Sequence, residues 1–130
     1  MNSTNVTPSW PVLAGVGFAA GVAIAAVDNF ACGGEVSPIV IVAMLLAATA
    51  TAGVIWDRRA WVAAATAWIC VPLAHLIKHV LGLSDTLQPN TYTSILMLAA
   101  FTLAVATIGT GCGVLLRRLT TVAAKGGRQP

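Results

Sequence analysis

Two histidines and a lysine fall together in the run Pro72-Leu73-Ala74-His75-Leu76-Ile77-Lys78-His79. His75 and His79 are four residues apart, which puts both on one face of a helix. Lys78 lies roughly 60° from His75 on a helical wheel turning about 100° per residue. An imidazole changes charge near neutral pH, ligates metal ions and both donates and accepts hydrogen bonds. Pro72, just before the run, lacks the N–H that would bond the carbonyl of Trp68 and is expected to kink the helix. The chain has four acidic residues, and three of them, Asp28, Glu35 and Asp85, bracket the same region.

Three chemistries are open to His75, Lys78, His79, Asp28, Glu35 and Asp85. In the first they are structural: Lys78 snorkels outward to pair with a carboxylate, and the histidines donate hydrogen bonds at the membrane boundary. In the second, His75, His79 and a carboxylate hold a zinc-like ion, although the spacing lacks the companion glutamate of H-E-x-x-H. In the third, His75 is the titrating group of a proton- or cation-linked carrier. The sequence names neither a metal nor a cofactor. Both histidines sit on one segment, against the two-helix ligation usual for haem. No cysteine pair serves thiol exchange, and no general base stands beside the histidines for a zinc hydrolase. An enzyme is therefore not expected.

The elements that position these residues follow from where charge is missing. Only 8% of the 130 residues are Asp, Glu, Lys or Arg, against 58% apolar, whereas an ordinary globular domain carries about 25% charged residues. So few ionic groups cannot cover a water-exposed surface, and the solvent for most of the chain is expected to be lipid. No charged side chain occurs in 1–27, 36–56, 60–77 or 86–116. A bilayer core of about 30 Å needs roughly 20 helical residues, so each stretch is long enough to cross it. Isolated strands would leave backbone groups unpaired in lipid, and no barrel-like alternation is present. The expected fold is all-α: an antiparallel bundle of four transmembrane helices at about 11–28, 37–56, 60–81 and 92–116. Residues 1–119 form its single domain and 120–130 a disordered basic tail.

The seven basic residues set the orientation, because Lys and Arg are retained on the cytoplasmic side. Arg58 and Arg59 lie between the second and third helices, and Arg117, Arg118, Lys125 and Arg128 follow the fourth. Lys78 alone falls at the other edge. Both termini are thus expected in the cytoplasm of a cell-membrane protein, with the polar cluster at the outer face. Counting about 1.5 Å per residue from Ala60 puts His75 roughly 22 Å and Lys78 roughly 27 Å across the bilayer.

Helix association in lipid relies on close packing through small residues. Gly17 and Gly21 on the first helix, and Gly109 and Gly113 on the fourth, supply such faces, and Ala43, Ala47 and Thr51 form a third stripe. Packing within one chain is the first expectation, with a homo-oligomer or a larger membrane complex the alternative. Cys70 and Cys112 are expected to fill helix contacts. Cys32 follows Asn29-Phe30-Ala31, a poor lipidation signal, and no basic residue precedes Arg58 to make a signal peptide. The polar stretch 84–93 is expected to be a loop, with Asn90 or Thr91 capping the fourth helix. A basic patch with interleaved aromatics is missing, so nucleic acid is not an expected partner; the lipid bilayer is. The expected function is a non-enzymatic auxiliary or scaffold protein of the membrane. The alternative is a homo-oligomeric proton- or cation-linked carrier, or a metal-binding protein, using the outer cluster.

Overall fold

The computed structural model describes residues 7–31, 37–85 and 87–127. The chain is all-helical there: α1 (Trp10–Phe30), α2 (Pro38–Trp56), a single 3-10 turn (Asp57–Arg59), α3 (Ala60–Val80) and α4 (Tyr92–Gly126). Three continuous helical stretches, 10–30, 38–80 and 92–126, are long and apolar enough to cross a membrane. The second is α2 and α3 joined through the turn. The two arms fold back on each other, since Ile41 near the start of α2 and Val71 in the second half of α3 share one core cluster. Asp57 makes the reversal with φ 52° and ψ −128°, a left-handed conformation that costs a residue with a Cβ some strain.

Local chemistry explains the ends. Pro11 and Pro38 stand in first turns, where a missing N–H costs nothing. Thr91 caps α4 by accepting from the Ser94 N–H at 3.2 Å. Hydroxyls inside the apolar helices satisfy themselves on the preceding turn: Thr49 donates to the Leu45 carbonyl at 2.8 Å, Thr102 to Leu98 at 2.7 Å and Thr110 to Ala106 at 2.8 Å. Each avoids the penalty of an unpaired polar group in an apolar medium.

Glycine decides which helices touch. A methyl group on Gly17 or Gly21 would overlap Ala63, Thr66, Ala67 or Cys70 of α3. One on Gly109 or Gly113 would overlap Leu46, Thr49, Ala50 or Gly53 of α2. The tightest contacts are therefore α1 with α3 and α2 with α4, with α3 also against α4. In both glycine pairs residue numbers rise together along the contact, so these partners run parallel. Sequential helices are antiparallel, as expected, yet α1 and α2 meet so loosely that a crevice of about 410 Å³ opens between them and α3.

Three expectations need correction. Ala43, Ala47 and Thr51 are exposed; the inward stripe of α2 is Ile41, Leu45, Thr49, Ala52 and Gly53, because the Thr49–Gly53 side is what fits the glycines of α4. Cys70 is buried against α1 but Cys112 is exposed. Finally, α4 runs ten residues beyond Leu116 to Gly126, so residues 120–126 are helical where a disordered tail was expected. The helix is already nucleated in the bundle and propagates through this segment, where Thr120 and Thr121 donate back to the Arg117 carbonyl at 2.8 Å. Cys32, Glu35 and Arg128 lie outside the described residues.

Candidate functional site

Packing of α1 against α3 in parallel register sets Asp28 level with His75, and the connection after α3 returns Asp85 to the same imidazole. The Asp28 carboxylate (Oδ2) lies 3.0 Å from His75 Nε2. Both oxygens of Asp85 lie 2.8 Å from His75 Nδ1. Lys78 Nζ lies 3.7 Å from Asp85 Oδ1. The side chains are 5% exposed for His75, 0% for Asp85, 14% for Asp28 and 21% for Lys78. Four ionisable groups thus share one enclosed corner of the bundle.

Proton counting constrains this corner. A neutral imidazole carries one N–H, but both ring nitrogens here face carboxylate oxygens. Both contacts are hydrogen bonds only when His75 is an imidazolium or a carboxyl holds a proton. With an imidazolium, two carboxylates balance His75 and Lys78, and the corner is neutral. Burial pushes the Asp85 carboxyl up, but the hydrogen bond from His75, its charge, the Leu87 N–H and the Lys78 ammonium outweigh it, so the group is held below the usual aspartate range.

Of the expected site residues, the structure brings together His75, Asp28, Asp85 and Lys78. His79 is apart from them: its ring meets Tyr92 edge-on, centroids 4.4 Å apart. Among the described residues, no group of three His, Cys, Asp or Glu side chains is placed to hold a metal ion. His75 as arranged presents no lone pair to one, because each nitrogen faces an acid. Sequence reasoning missed Trp68, whose indole N–H reaches the Ala99 carbonyl at 3.0 Å and Thr102 Oγ1 at 3.1 Å, pinning α3 to α4. A tryptophan in mid-helix, with a donor that needs a partner in lipid, was the available signal.

The opposite end of the bundle gathers the basic residues. Arg117 donates to the Val54 carbonyl at 3.3 Å and to that of Ile55, closing the C-terminus of α2. Arg118 lies 3.5 Å from Asp57. Arg59 stacks on Trp10 at 5.5 Å and donates to the Pro8 carbonyl at 3.3 Å.

No protein-family model matches the chain, and neither a curated protein nor a solved structure matches it.

Proposed function

We propose that the chain crosses the bilayer of a cell membrane four times, with both termini in the cytoplasm, and serves as a non-enzymatic auxiliary or scaffold protein. The fold-back at Asp57 supports counting 38–80 as two crossings: α2 and α3 have 19 and 21 residues, and about 20 helical residues span the hydrocarbon core. The gathering of Arg59, Arg117 and Arg118 at one end supports the orientation.

The observation that carries the scaffold reading is where the polar groups are spent. Asp28, His75, Lys78 and Asp85 bind one another and so tie α1, α3 and the connection to α4 into one body. The glycine faces are likewise used between helices of the same chain. A bundle whose outer charges are paired within the chain suits a protein that positions others. Tags on the two ends should both report from the cytoplasmic face, while a cysteine at Ser84 should label from outside. In mild detergent the native chain should migrate within a larger assembly, and Gly113→Leu should remove it from that assembly. Migration as an isolated oligomer that moves protons or cations into proteoliposomes would overturn the scaffold reading and favour a carrier. One observation speaks for that second reading: a cavity reaches Asp28 and His75 from the bundle surface.

A further inference from the structure

That cavity has about 260 Å³ and is lined by Ile41 and Val42 of α2, Val71 of α3, Leu98 and Phe101 of α4, and Leu87, with Asp28, His75 and Thr102 as its polar lining. We infer that it is a binding site for a lipophilic primary amine, the ammonium replacing the Nε2 proton of His75 as the donor to Asp28 and the apolar body lying against Phe101 and Leu98. The inference does not depend on the scaffold reading.

The polar groups present acceptors. Asp28 meets His75 through Oδ2, leaving its other oxygen for a donor. Thr102 donates its own proton to the Leu98 carbonyl and accepts from Trp68. Lys78, held 3.7 Å from Asp85, is not among the described residues that line this cavity. A carboxylate or phosphate head would find His75 already donating to both carboxylates, and a purely apolar guest would leave the Asp28 oxygen unpaired. An ammonium suits the wall, and an aromatic face beside it adds cation–π attraction. The other two cavities lack this pattern: the α1–α2 crevice has threonines as its polar lining, and the third has Lys78 and Asn29 at an otherwise apolar groove.

Charge balance extends the inference to a proton. Asp28, Asp85 and Lys78 sum to one negative charge, which an imidazolium at His75 cancels. When an ammonium arrives, it supplies that positive charge, and the Nε2 proton of His75 leaves to bulk water. The neutral ring keeps its Nδ1–H on Asp85, and the Asp28 carboxylate turns from its 3.0 Å contact so that the ammonium donates both to it and to Nε2. Of the described lining residues only Asp28 and His75 ionise; those from α2 and α4 do not. Among the described residues, Lys78 and Asp85 are the other charges at the corner.

The test uses the full chain in dodecyl maltoside with phenethylamine as probe, and 2-phenylethanol and 3-phenylpropionate as its neutral and anionic counterparts. Binding is read by saturation-transfer NMR and proton exchange by an indicator dye in weak buffer. The amine should bind at least about tenfold tighter than the alcohol, the usual worth of one charge-assisted hydrogen bond, and release protons as it binds. Asp28→Asn should erase the preference. Leu98→Trp fills the cavity from α4 without touching the charged corner and should weaken all binding, so it decides the matter if Asp28→Asn does not fold. Equal binding of amine and alcohol, or amine binding unchanged in Leu98→Trp, overturns the inference. Amine binding without proton release overturns the exchange at His75.

Discussion

The two ends of this bundle use charge in opposite ways. At one end Asp85 and His75 are 0% and 5% exposed and face each other at 2.8 Å; at the other, Asp57 and Arg118 are 36% and 50% exposed at 3.5 Å. The first pair has left water, so each member depends on its partner, and the loss of one strands a charge. The second is only partly withdrawn from solvent, and its attraction is largely offset by screening and side-chain entropy. Position relative to solvent, more than the number of ion pairs, sets what each end contributes.

Substitutions can break this contrast in order of size. His75→Ala leaves Asp28 and Asp85 without their shared donor and should destabilise the bundle by about 3–5 kcal/mol, read as a shift in an SDS-unfolding titration followed by tryptophan fluorescence. Acid should act on the same end. Because Asp85 is held below its ordinary range, its contribution is complete above that range, about pH 3.9, and is lost as pH falls through the lower folded value. Cross-linking between cysteines placed on α1 and the 81–91 connection should therefore weaken only below about pH 4, and weakening near pH 6 would contradict the assignment. At the basic end, Arg117→Ala removes the closure of α2 and should cost about 0.3–1 kcal/mol. Arg118→Ala should cost less than about 0.5 kcal/mol, being half exposed. Asp57→Gly gives up the same exposed pair but relieves the left-handed strain, for a net gain of about 1 kcal/mol. If Arg118→Ala proves as damaging as His75→Ala, the contrast between the ends is wrong.

Much of this was readable before any coordinates. Charge-free stretches located the helices to within two residues at most ends, because ionic groups in lipid are costly wherever they occur. Counting depth placed Asp28 and Asp85 beside His75. It misplaced His79, since a shared helix face says nothing about height: His79 lies one turn past His75, where Tyr92 at the start of α4 meets its ring. Helix pairing was hidden too. Gly17, Gly21, Gly109 and Gly113 were visible as contact faces, but their partners depend on shape, and Thr49 with Gly53 fits where the equally small Ala43–Ala47 stripe does not. The end of α4 was missed because Arg117 and Arg118 mark the lipid boundary, which a helix can cross without stopping.

That overrun has a mechanical result. Thirty-five residues make a rod of about 52 Å, far longer than the roughly 30 Å of hydrocarbon it has to traverse. The surplus past Arg118, with Leu119 and Val122 open at 60% and 69%, stands as a stiff mast of just over two turns. In the four-crossing reading, a partner docked on Leu119 and Val122 would be held at a fixed height and azimuth, turning in step with α4.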